Sequence, residues 1–173
     1  MKLRRVAMLA AAVVAVAPMG WWTAAKASPT PPPAGTTCTW GGTATEPTGR
    51  FALSPGLTNS PSATATKFWA TGELSGGPGC EGTLTYSGQV DAGGTCTANF
   101  FDGKARGIPG VRTYAGVGVG PFGPARLYDG SGSVVASENA NLNTAANIPH
   151  FTDCSTPSGF TGGDFSSTIV YVK

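Results

Sequence analysis

Apolar and polar positions alternate along this chain over short stretches and rarely recur at helical spacing. No window of a dozen residues holds an apolar stripe at i, i+3, i+4 and i+7. Instead, Thr- and Val-containing runs bounded by Gly, Pro, Asn or Asp fall at residues 37–45, 63–75, 82–91, 95–101, 111–120, 124–128, 133–143 and 165–172. This is the signature of half-buried strands. It predicts an all-β fold, either an antiparallel β-sandwich of immunoglobulin-like kind or a flattened β-barrel. The segment 46–62, EPTGRFALSPGLTNSPS, reads as a long loop, because each of its prolines would break a ladder. In the last run Phe165, Ile169 and Tyr171 share one face and Val170 and Val172 the other. A strand apolar on both faces is expected to have neighbours on both sides.

One hairpin has a predictable register. Leu84, Tyr86 and Val90 share a face of one strand, and Cys96, Ala98 and Phe100 a face of the next. A loop of Ala92, Gly93 and Gly94 pairs Val90 with Cys96 and Tyr86 with Phe100, keeping both apolar sets together. This places Cys80 and Cys96 at opposite ends of the hairpin, roughly 30 Å apart at strand rise, far beyond the reach of a bridge. The four cysteines, Cys38, Cys80, Cys96 and Cys154, allow three pairings. If runs 37–45 and 63–75 are antiparallel neighbours, Cys38 meets Cys80. The favoured pairing is therefore Cys38–Cys80 with Cys96–Cys154, and the alternative is Cys38–Cys96 with Cys80–Cys154.

The first residues change the compartment and the charge. Lys2, Arg4 and Arg5 precede an apolar run from Val6 to Met19, and Ala25-Lys26-Ala27 forms a small-x-small site. This is the layout of a secretory signal peptide over residues 1–27, and the run falls short of the roughly 20 residues that span a bilayer. The expected organisation is a signal peptide at 1–27, a Pro-rich linker at 28–37 and a single all-β domain at 38–173, with no transmembrane segment in the mature form. The chain carries 11 Lys and Arg against 9 Asp and Glu. Four of the basic residues and none of the acidic ones lie in the leader, so the mature chain is slightly acidic. Nucleic acid is thereby excluded as an expected partner. A secreted, extracellular protein with an even cysteine count is expected to hold two disulfides.

Other motifs give little chemistry. Gly118, Gly120 and Gly123 spell G-x-G-x-x-G, but Pro121 and Pro124 prevent the helix that a dinucleotide loop must open. Gly116, Gly118 and Gly120 more simply leave one strand face bare, for a neighbouring backbone or ring to pack closely or for the strand to bend at a barrel corner. His150, the single histidine, stands near Asp153 and Ser155 without a nucleophile elbow, and reads as a loop residue beside a cysteine. Asp129 begins DGSGS, where Val134 occupies the position at which a calcium loop needs Gly. Most of the carboxylates sit in turn-like contexts. No catalytic residues, metal ligands or cofactors are assigned. Asn139, Asn141 and Asn143 alternate with Ala140 and Leu142, a row of amides suited to a glycan.

The segments CTW-x-G from Cys38, PGL at Pro55–Leu57, GTLTYSG from Gly82 and F-x-S-T-I-V-Y from Phe165 together resemble a group of small secreted β-proteins of high-GC Gram-positive bacteria. The resemblance implies a bacterial, two-disulfide β-domain and carries no catalytic residues. A looser analogy is to the chromoprotein apoproteins of actinomycetes, secreted immunoglobulin-like sandwiches that hold a small ligand. The expectation is a secreted non-enzymatic protein with an extracellular or cell-envelope interaction role and a glycan, cell-wall or small-molecule ligand. The alternative is a small-ligand carrier with an internal apolar pocket.

Overall fold

The computed structural model describes residues 30–173, so the expected leader lies outside the described residues. Nine strands follow one another: β1 (Thr37–Trp40), β2 (Gly49–Leu57), β3 (Thr66–Gly76), β4 (Gly82–Val90), β5 (Ala98–Arg106), β6 (Thr113–Val119), β7 (Phe122–Tyr128), β8 (Val134–Asn141) and β9 (Phe160–Tyr171). From β2 onward each strand pairs antiparallel with the next, and β9 returns to pair with β2. Eight strands thus close an up-and-down barrel, and of the two expected architectures the flattened barrel is the one these pairings fit. Closure leaves β9 bonded on both flanks, as its two apolar faces require.

β1 and β2 share one place in the wall. Trp40 of β1 faces Leu74 of β3 and Ser167 of β9, while Arg50 of β2 faces Thr71 and Asp164 of the same two strands. Residues 41–48 leave the wall between them and return. The amides of Thr48 and Gly49 both donate to the Gly41 carbonyl, at 2.7 and 3.0 Å. A Cβ on Gly41 would stand 2.7 Å from the Gly49 α-carbon, so only glycine lets the two ends of the excursion touch.

Two sequence expectations are corrected. Segment 46–62 is not one long loop, because it contains β2. Pro55 lies past Ser54, the last residue of β2 paired with β3, and within the irregularity of the β2–β9 ladder between Ala52 and Leu57. A proline placed there removes no ladder hydrogen bond. The β4–β5 hairpin also has another register: Val90 faces Phe101 and Tyr86 faces Ala105. Phe101 and Ala105 point inward, whereas Phe100 is 65% exposed. Cys96 therefore belongs to the connection, not to a strand, and its amide donates to the Thr58 carbonyl. The observed register sets Gly88 opposite Gly103. The Tyr114 hydroxyl occupies the place beside this pair, 2.7 Å from where a Cβ on either would stand, and the Tyr114 ring stacks on Tyr86 with centroids 4.1 Å apart.

The barrel has a filled end and an open end. The filled end is packed by Trp40, Leu74, Leu84, Leu127, Ile169 and Tyr171, all buried, and is tied by the Cys38–Cys80 disulfide. The Pro-rich stretch expected as a linker lies against this end from Pro31 onward. Pro32 is buried, and the Gly35 amide donates to the Tyr171 carbonyl. At the open end the second disulfide, Cys96–Cys154, joins the β4–β5 connection to a 3₁₀ helix, Ile148–Ser155. Eight strands enclose an interior that side chains either fill or leave free for one small ligand. Here they do the first below and the second above.

Candidate ligand cavity

A cavity of about 440 Å³ occupies the upper barrel. Its walls follow from strand alternation. β3, β4, β5 and β9 contribute rings at inward positions, among them Phe68, Tyr86, Phe101 and Phe165. β6, β7 and β8 contribute Gly118, Gly123 and Ala140. Rings on one side against two glycines and an alanine on the other leave the interior incompletely filled. Asn59, Thr97 and Asn143 line the cavity and are also exposed, so it meets solvent among the loops of the open end.

Those loops are stitched together. The Asn59 amide donates to the Cys154 carbonyl, Gly93 to Ser62, and Ser62 to Gly94. The long β8–β9 connection is pinned by Asn147, which is 1% exposed. Its Nδ2 donates to the Leu142 and Asp164 carbonyls at 2.8 and 2.6 Å, and its Oδ1 accepts from the Asp164 amide at 2.9 Å. Gly163 has to be glycine for this, since a Cβ there would lie 2.1 Å from that Oδ1. Replacing Asn147 by Ala strips partners from three backbone groups. The expected cost is about 2 kcal/mol, measurable as a lowered urea midpoint with an unchanged slope.

Among the described residues Glu138 is the one charged residue in the cavity lining. It sits on β8 between Ala136 and Ala140 on the inward face, and is 5% exposed. Its Oε2 accepts from the Tyr86 hydroxyl at 2.7 Å and its Oε1 from the Ser167 hydroxyl at 2.8 Å. Burial pushes the carboxyl up to about 7, against the pull of these two donors toward the ionised form. Burial and the neighbouring Glu138 together hold the Tyr86 phenol well above its ordinary value. Beside this group Trp40 meets the rings of Tyr86 and Phe165 at centroid distances of 4.4 and 4.5 Å. The indole N–H of Trp40 donates to the Gly72 and Leu84 carbonyls, which fixes the ring.

The other candidate groups are placed elsewhere. The G-x-G-x-x-G stretch spans the β6–β7 hairpin, with Val119 facing Phe122 across Gly120 and Pro121. The bare face of Gly116 is covered by the Phe101 ring. His150 is exposed and its Nδ1 lies 3.2 Å from Asp153 Oδ2, while the Ser155 hydroxyl accepts from Asn59. These three residues therefore do not form a relay. Asp129 Oδ1 accepts from the Ser131 amide, the Ser131 hydroxyl and the Ser133 amide, a closed loop that lowers its pKa, chiefly through the Ser131 hydroxyl. Among the described residues no three His, Cys, Asp or Glu side chains gather as metal ligands, and no helix is long and apolar enough to cross a membrane. The amide row is split: Asn139 points outward from β8, and Asn141 Oδ1 accepts from the Asn143 amide.

The parity of Glu138 is visible in the sequence. It shares a strand face with Ala136 and Ala140, opposite Asn139 and Asn141, which makes it an acid on an apolar face. Comparison with known families, with curated proteins and with solved structures finds no match to this chain.

Proposed function

We propose that this protein is a secreted, non-enzymatic carrier that holds one small, largely apolar molecule inside its barrel. The observation that carries the reading is the cavity itself: about 440 Å³, ring-lined, open at one end. Ligand pockets of small molecules are concave, mostly apolar, and range over about 300–1,000 Å³ with few polar groups. A protein that only presented its outer surface to a partner would gain stability by filling this volume, at roughly 24 cal/mol for each Å³ by cavity energetics. The two disulfides suit an oxidising, extracellular setting. An envelope interaction role draws on a different part of the molecule, the exposed outer faces, which carry large apolar residues such as Trp69, Phe100 and Val119.

The test uses N-phenylnaphthylamine, a neutral apolar dye that brightens on leaving water. The expected result is a saturable, one-to-one rise in emission. Ala140 faces the cavity from β8, and Ala140→Trp should abolish the rise while leaving the far-ultraviolet circular dichroism unchanged. No rise with the parent protein, or an equal rise with a folded Ala140→Trp variant, overturns the reading.

A further inference from the structure

Resting on the carrier reading, we infer that the ligand is an organic amine: an apolar body carrying an ammonium head, which Glu138 and the surrounding rings bind at the base of the cavity. Three observations converge on this class. Among the described residues the cavity lining contains one carboxylate and no Lys, Arg or His. A carboxylate in such surroundings has lost its hydration without gaining a counter-charge, and an ammonium is the ligand group that restores the balance. Tyr86 and Ser167 each occupy one lone-pair site of Glu138, while an ionised carboxylate offers about four such sites. Acceptor capacity is left, and an ammonium, with its donors and no acceptor, fits it. Finally, Trp40, Tyr86 and Phe165 also line the cavity with Glu138, and ring faces attract a desolvated cation. An alcohol would gain a hydrogen bond here without neutralising the charge, and a carboxylate would be repelled.

The arrangement also sets a direction with pH. An ammonium needs the ionised form of Glu138, so binding strengthens as pH rises through the range in which that carboxyl loses its proton. The phenols facing it from the neighbouring strands do not titrate there. Tyr86 on β4 and Tyr114 on β6 are raised, and Tyr171 on β9 is raised to about 12, each chiefly by burial. Asp102 on β5 acts on Tyr114 but is exposed. Inward positions of β7 beside Glu138 carry Ala125 and Leu127, which are uncharged. Bound ligand would therefore be retained near neutrality and released in acid.

The matched probes are decylamine, decanol and decanoic acid, each displacing the naphthylamine dye at about pH 8. The expected order is amine, then alcohol, then acid, with the amine ahead of the alcohol by about tenfold or more, near 1.4 kcal/mol. Lowering the pH to about 6 should weaken the amine by about tenfold and leave the alcohol unchanged. Glu138→Gln keeps a similar shape and removes the charge. It should bring amine and alcohol within about twofold of each other, near 0.4 kcal/mol. If the dye binds but the amine has no advantage over the alcohol, or keeps its advantage in Glu138→Gln, the amine assignment is wrong and the carrier reading stands. If neither the dye nor any decyl probe binds, the carrier reading itself has failed.

Discussion

Reduced, the protein is expected to be largely unfolded at about 37 °C, while the oxidised form stays folded. The bridges close separations of 42 and 58 residues, and chain-entropy reasoning assigns such loops roughly 4 kcal/mol apiece. Domain stability is only about 5–15 kcal/mol in total, and a cavity of about 440 Å³ forgoes part of the packing that a solid core would supply. The bridges also act at different places. Cys38–Cys80 fastens β1 to the β3–β4 turn at the filled end, and Cys96–Cys154 fastens the loops of the mouth. Reduction thus loosens barrel closure and cavity together. Thermal melts with and without reductant measure the effect, and a reduced form melting within a few degrees of the oxidised one would contradict it.

Glu138→Gln should stabilise the protein by about 3 kcal/mol above about pH 8 and leave it nearly unchanged at about pH 4. The sign follows from the raised pKa. An ordinary glutamic acid titrates near 4.5, and Glu138 in the fold near 7. Below the first value both folded and unfolded states hold the proton. Between the two values only the folded state does, so stability falls as pH rises. Above about 7 the loss is complete, because the folded protein must keep a buried charge. The amide holds the neutral arrangement at every pH: its oxygen still accepts from Tyr86, and the Ser167 hydroxyl can accept from its nitrogen. Thermal midpoints of both proteins measured from about pH 4 to about pH 9 isolate this group, since all other titrations cancel in the difference. Curves running parallel over that range would show that Glu138 is not held neutral by the fold.

Most of the strands were legible because alternation is a local property. β4, β6 and β8 fall close to the runs that predicted them, whereas β9 begins at Phe160, ahead of the run that started at Phe165. The β5 register was not, and the reason lies in the choice of face. Cys96, Ala98 and Phe100 look like a buried set, yet Asp102, Lys104 and Arg106 continue the same parity and are all exposed. Extending the window to residue 106 would have turned Phe101 and Ala105 inward. β2 was hidden by Pro55, whose tolerance depends on a ladder irregularity that only the tertiary pairing with β9 creates. The cavity was beyond local reading for a different reason. It exists because rings on β3, β4, β5 and β9 stand across from Gly118, Gly123 and Ala140, and that opposition depends on how the sheet curls. Cys38–Cys80 was legible through the β1–β3 neighbour relation, which the structure contains.

The shared wall position of β1 and β2 also governs the order in which the barrel can be made. From β2 to β8 every ladder joins consecutive strands, so those contacts are short in sequence and cheap in loop-closure entropy. The seam is the opposite case: Thr37 meets Val170 and Gly49 meets Phe165. A growing or refolding chain can therefore zip its hairpins one after another and still remain an open, curled sheet with two bare edges, prone to sticking to other chains. Only when residues 160–171 arrive does one strand close both edges, along β8 on one flank and along β1 and β2 on the other. Substitutions in that last strand should slow folding more than equally destabilising ones in the hairpin turns, because the seam carries the long-range search that sets the rate.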